Sequence, residues 1–319
     1  MADSERISDK EESDNKKNPR QSQDTQKNVE EFIPPHLMEP NWLEYEYCVA
    51  QDVIAEIECH IEPVHKKAKV KDIHQIRVCL RRWFSIWKVL KQDGWETPSF
   101  NKKIHKKLKR FYRTLGVIRD WDVNCKLARK LELPESVVES WKLTRRKERK
   151  KQLKSIKQFE LRSVIKQLKR YLKSRFVKLR IDFIRYQGAR EETVFSHFEN
   201  FLSAIESRTR ELSREFKVME DIHQLRLSIK AWRYLLVEFY GVSNLSLVDC
   251  QGHLGQAVDY DRLRLVLESS PKAFTDFDTR RSIHIVVAKR NTLIKEIVDL
   301  KKSIPYGFRP IWISQENAN

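Results

Sequence analysis

Asp72-Ile-His-Gln-Ile-Arg-Val, residues 72–78, is written a second time as Asp221-Ile-His-Gln-Leu-Arg-Leu, residues 221–227. Beyond it, Arg81 answers to Lys230 and Trp83 to Trp232. Further along each copy, Leu115-Gly116 followed by Asp120-Trp121-Asp122 returns as Leu254-Gly255 followed by Asp259-Tyr260-Asp261. The two matches keep their order at offsets of 149 and 139 residues, which makes coincidence a poor explanation. The chain is read as an internal duplication, with a first repeat at 39–187 and a second at 188–302. A tail at 1–38 precedes them and an extension at 303–319 follows.

Each copy opens with a helix of one design. Asp72 with Gln75, and Asp221 with Gln224, have the spacing of capping boxes, with the aspartate satisfying free N–H groups. At about 100° per residue, Ile73, Ile76, Leu80, Trp83, Trp87 and Leu90 gather on one face. His74, Arg77, Arg81 and Lys88 fall within about 60° of one another on a different face. The second copy repeats the division. Ile222, Leu225, Ile229, Trp232 and Leu236 are apolar, and His223, Arg226, Lys230 and Arg233 are basic. Neither basic stripe has an acid inside it.

Other segments follow the same plan. In 102–115, Ile104, Leu108, Phe111 and Leu115 form the inward side, while Lys102, Lys106, Lys109 and Arg113 stack beside it. In 161–180, Leu161, Val164, Ile165, Leu168 and Leu172 face inward, and Arg162, Lys166, Lys169 and Lys173 line a flank. Segment 280–300 is amphipathic too. Between Trp141 and Glu160 helix is expected, although a dense run of Lys and Arg hides its inward face. Helical periodicity throughout, with only seven glycines and ten prolines in 319 residues, predicts an all-α fold.

Charged residues make up 34% and hydrophobic ones 40%, enough for a core under a heavily charged surface. Residues 1–31 hold nine acids and six bases, so the net charge of +18 becomes about +21 without them. With so few apolar side chains, the tail at 1–38 cannot offset its own ordering entropy and is expected to be disordered. No run of 18 apolar residues and no apolar leader occurs, so a soluble, cytoplasmic protein is expected. The scattered Cys48, Cys59, Cys79, Cys125 and Cys250 have no metal-site spacing and suit reduced thiols.

A single basic run is ordinarily a solvated face. Here the run is duplicated, it begins at a helix N-terminus that favours anions, and neighbouring helices repeat it. These features together point to a polyanion. A long phosphate chain needs donors every few ångströms, and one helix face offers them about every 5.4 Å. Asp120 and Asp122, like Asp259 and Asp261, diverge by about 200° on a helix and make a poor Mg²⁺ pair. They are read as structural, the first of each pair capping a helix or orienting an Arg or His of the first helix. Gly116 and Gly255 are read as allowing a close helix crossing or ending the preceding helix.

The HxxR helix and the LGxxxD element, both occurring twice, resemble the CHAD domain, the conserved histidine α-helical domain. The resemblance covers about residues 40–302. It implies two tandem four-helix bundles with pseudo-twofold symmetry and a basic surface or channel that binds inorganic polyphosphate. It further implies a scaffold or targeting role, with association with polyphosphate granules, and no catalysis, metal or cofactor. Carried over by position, His74, Arg77, Arg81, His223, Arg226, Lys230 and Arg233 become the ligand set, with Lys109 and Arg113 matching more loosely. Phe84 departs from the pattern where the first copy often has Arg, and Val258 replaces the Arg of the second LGxxRD.

Relatives are often fused to a triphosphate-tunnel domain marked by an ExExK strand. Glu44-Tyr45-Glu46 and Glu56-Ile57-Glu58 lack that lysine, and no P-loop, HExxH or GxSxG motif is present. Hydrolysis of small polyphosphates is accordingly the third-ranked reading. The second is a nucleic-acid backbone binder that uses the same basic helices, chiefly 142–180.

Overall fold

The computed structural model of the protein describes residues 42–185, 191–269 and 276–307. The tail expected at 1–38 lies outside the described residues, as does the predicted boundary between the repeats at 187–188.

The two HxxR segments are helices of nearly equal length, and their apolar stripes explain their placement. All six stripe residues of the first and all five of the second are buried. Each such side chain contributes about 1.5–3 kcal/mol when fully buried. The first helix starts at Val70 and the second at Met219, earlier than the sequence suggests. Asp72 and Asp221 therefore stand at the third helical position, not at the cap. From there Asp72 Oδ2 accepts from the Lys69 backbone N–H at 2.8 Å. Asp221 Oδ2 accepts from those of Lys217 and Val218 at 2.8 and 3.0 Å. The capping function holds; its register differs.

In chain order the elements are α1 (Trp42–Cys59), α2 (Ile61–Lys66), α3 (Val70–Leu90), the short α4 (Pro98–Phe100) and a single π-turn at Asn101–His105. Then come α5 (Lys106–Lys130), α6 (Glu135–Gln158), α7 (Leu161–Arg185), α8 (Glu191–Arg214), α9 (Met219–Tyr240), α10 (Leu245–Glu268) and α11 (Asp276–Leu300). The fold is all-α, with no strand among the described residues. Among those residues no helix is long and apolar enough to cross a membrane.

The packing order repeats. In the first copy α1 packs on α3, α3 on α5 and α5 on α6; in the second, α8 packs on α9, α9 on α10 and α10 on α11. Among the described residues helix α7 has no counterpart; it packs on α1 and α5. Contacts of α3 with α9, α1 with α8 and α5 with α10 join the copies. One apolar core runs through both, from Trp42 to Ile304, with Trp83 and Trp232 fully buried within it. A smaller cluster lies where the ends of α5 and α10 meet α6 and α11. Beyond 302 the chain still packs on this core, with Ile304 buried and Tyr306 hydrogen bonded to Ser213 at 2.6 Å.

The unreadable inward face of α6 now has a cause. Between Trp141 and Ile156, both buried, Arg145 and Arg149 occupy the inner side. Arg145 Nε donates to buried Asp122 Oδ1 at 2.6 Å, with Arg149 Nη1 3.9 Å from Oδ2. An ion pair stands where a periodic apolar residue would be. Asp261 does the same in the second copy, accepting from Arg290 Nη1 of α11 at 2.7 Å.

Candidate anion-binding site

Because α3 lies against α9, the basic flanks of the two copies meet. His74, Arg77, Arg81, His223, Arg226, Lys230 and Arg233 are all partly buried there. Lys230 is their focus. Burial, then the charges of Arg81, Arg226, Arg77 and Arg233, push its ammonium from its ordinary 10.5 down to about 6. Residues of both helices thus share one field.

Asp120 and Asp259 act on these charges from a distance but make no ion pair with them among the described residues. Among the described residues no ion pair involves Arg77, Arg81, Arg226, Lys230 or Arg233. The Nε groups of Arg81 and Arg226 are buried without a hydrogen-bond partner. Buried donors of this kind cost folding free energy until something accepts from them. Burial and the neighbouring arginines also hold His74 and His223 below the ordinary histidine value, so both imidazoles are neutral at neutral pH.

The glycines of the LGxxxD elements explain how the arginines fit. Gly116 lies in the middle of α5 and Gly255 in the middle of α10, so neither ends a helix. Arg77 lies on the backbone of α5, where Nη1 donates to the Tyr112 carbonyl oxygen at 2.8 Å. Its guanidinium stacks 4.2 Å from the centre of the Tyr112 ring. A Cβ on Gly116 would stand 3.0 Å from Arg77 Nη1, and one on Gly255 would stand 3.4 Å from Arg226 Nε. The glycines make room for guanidinium groups.

Asp120 and Asp259 are likewise mid-helix and cap nothing. They face the cluster, Asp120 acting on Arg77 and Asp259 on Arg226. Burial raises the Asp259 carboxyl above its ordinary value, while Arg226 and Arg262 oppose that. Asp122 and Asp261 instead tie α5 and α10 to the next helix, so the two members of each pair serve different neighbours.

Three contributors were missed from sequence. Arg119 acts on His74 and Asp259, Arg262 on His223 and Asp259, and Tyr112 carries Arg77. Arg262 Nη1 lies 4.0 Å from Asp120 Oδ1, across the two copies. Arg119, the Arg of the first LGxxRD, corresponds to Val258 and Arg262 to Val123, so neither is repeated within this chain.

The two halves also differ in chemistry. Arg233 Nε donates to Gln251 Oε1 at 3.0 Å. At the corresponding place in the first copy, Phe84 packs edge-on against Tyr112 and His105, with centroids 5.6 and 5.5 Å away.

The remaining predicted residues lie further out. Lys106, Lys109 and Arg113 are exposed and share the face of α5 that carries Gly116, so they lead away from the cluster. Lys88 is exposed, about 10 Å beyond Arg81 along α3. Lys166 is exposed on α7, and Lys169 is ion-paired with Glu58 of α1.

A family model described as the CHAD domain matches residues 48–268. Among solved structures, the crystal structure of the CHAD domain from the plant Ricinus communis is similar, with TM-score 0.64 and 17% identity, covering 83% of this chain and 92% of that one. PptA from Streptomyces chartreusis is similar with TM-score 0.53 and 12% identity, covering 83% of this chain and 98% of that one. Comparison with curated proteins gives no match.

Proposed function

The chain belongs to the CHAD domain family, and on that premise we propose that it binds inorganic polyphosphate between α3 and α9 without catalysing its turnover. The observation that carries this reading is Lys230 among Arg77, Arg81, Arg226 and Arg233, a set of cations from both copies with no ion-paired carboxylate among the described residues. Such a set is costly without an anion and stabilising with one.

A phosphate chain supplies acceptor oxygens at short, regular intervals, and each arginine fork can engage two at once. The buried Nε groups of Arg81 and Arg226 gain acceptors, and Lys230 regains its proton as negative charge arrives. The anion would continue along α5 over Arg113, Lys109 and Lys106. Binding neutralises several charges at once, so counterion release makes it fall steeply with salt. Most of the residues set against the phosphates are arginines, which stay protonated and do not act as nucleophiles, and this suits retention of an intact chain in a cytoplasmic scaffold or a granule-associated factor.

Calorimetric titration with long-chain polyphosphate across a salt series tests this. Salt-sensitive binding that duplex DNA at equal phosphate concentration does not displace is the expected result. Incubation with Mg²⁺ should release no orthophosphate. Absence of binding, or phosphate release that depends on Arg81 and Lys230, would overturn the reading.

A further inference from the structure

Helix α6 carries cations that the fold does not require. Its 24 residues hold nine Lys and Arg against three Glu. Helix α11 packs on α10 as α6 packs on α5, yet holds five bases against four acids. The same structural work is therefore done in the second copy without the charge excess. In α6, Arg145 and Arg149 turn inward to Asp122, and Lys142 is paired with Glu139.

The six others, Arg146, Lys147, Lys150, Lys151, Lys154 and Lys157, are exposed, and none makes an ion pair among the described residues. They occupy an arc of about 140° over a length of about 16 Å. The acids closest to them on the helix are engaged, Glu139 by Lys142 and Glu148 by Gln152. Crowding like charges in this way destabilises the compact state through self-repulsion unless a polyanion neutralises them.

The arc resolves into two rows. Arg146, Lys150 and Lys157 form one; Lys147, Lys151 and Lys154 form the other, about 80–100° away around the helix. A single phosphate chain would meet one row. Two rows on a rod about 10–12 Å across match a groove about 12 Å wide with phosphates along both rims, which is the major groove of B-form DNA. The major groove of A-form RNA is too narrow for a helix. Between the rows stands exposed Leu143, and no aromatic side chain lies on the arc, so nothing there would stack on unpaired bases.

We propose that the outer face of α6 is a second, independent polyanion-binding surface that takes the backbone of duplex DNA without sequence preference. It does not use the α3–α9 cluster, and it stands whether or not that cluster binds polyphosphate.

Fluorescence anisotropy of the full chain with a random-sequence DNA duplex of about 20 base pairs tests it, because the salt slope reports the number of phosphate contacts. Changing all six cations to Gln, a good helix former, should lower that slope by about 5 and reduce affinity by about 100-fold. Arg81→Ala/Lys230→Ala should leave duplex binding unchanged. Three-residue Gln variants of single rows, each expected to lower the slope by about 3, serve if the sixfold variant unfolds. Failure of the natural chain to bind the duplex, retention of binding in the folded sixfold variant, or equal affinity for duplex RNA or single strands would overturn the proposal.

Discussion

Arg77 of α3 lies against Gly116 of α5, its Nη1 donating to the Tyr112 carbonyl oxygen at 2.8 Å, at a place where a Cβ would come within 3.0 Å. The repeated Leu-Gly pair is thereby linked to the repeated His-x-x-Arg helix: one element supplies the charge and the other its seat.

Gly116→Ala should separate stability from binding. Alanine gains about 1 kcal/mol of helix propensity over glycine. The added methyl displaces the Arg77 guanidinium by a few tenths of an ångström. Thermal unfolding should be unchanged or slightly raised, while polyphosphate affinity falls about three- to tenfold. Gly255→Ala should show a weaker form of the same effect, its contact being 3.4 Å.

Lys230 should make binding proton-linked. Its folded value of about 6 leaves it largely neutral at pH 7.5, and a bound anion favours the charged form. Calorimetry at pH 7.5 in buffers of different ionisation enthalpy should therefore show proton uptake, and affinity should rise as pH falls from 8 to 6. His74 and His223, both held below the ordinary value, add to that rise at its lower end. Lys230→Arg should abolish most of the uptake at pH 7.5.

The same group sets a sign for stability without ligand. Unfolded, Lys230 titrates at 10.5; folded, at about 6. Between those values the unfolded chain holds the extra proton, so this group makes stability rise with pH over that window and is constant below it. Lys230→Met should raise the urea midpoint at pH 7 and flatten that part of the profile.

The duplication made α3, α9 and both basic stripes legible, since residue types kept twice at one helical spacing mark a face. Arg119 and Arg262 were hidden by the same logic, because each faces the cluster from a position held by valine in the other copy. For Lys169, periodicity tells which face of α7 it shares and not which helix that face meets; it meets Glu58 of α1. The inward arginines of α6 were illegible for a related reason, since only the tertiary partner Asp122 distinguishes them from solvated charges.

Neighbouring arginines should behave oppositely. Arg82 donates through Nη2 to Glu238 Oε2 of α9 at 2.8 Å and also pairs with Glu56 of α1. Its loss leaves the buried Glu238 carboxylate uncompensated, so Arg82→Gln should cost about 2–3 kcal/mol in chemical denaturation. Arg81→Gln should lose binding without that penalty.

Polyphosphate titration of paired double variants bears most directly on the central claim that the cations at the α3–α9 contact form the site. Arg81→Ala/Lys230→Ala should reduce affinity by about 100-fold and flatten the salt dependence, whereas Lys166→Ala/Lys169→Ala should stay within about threefold of the natural chain. Equal losses in the two variants, or loss only in the second, would contradict the account.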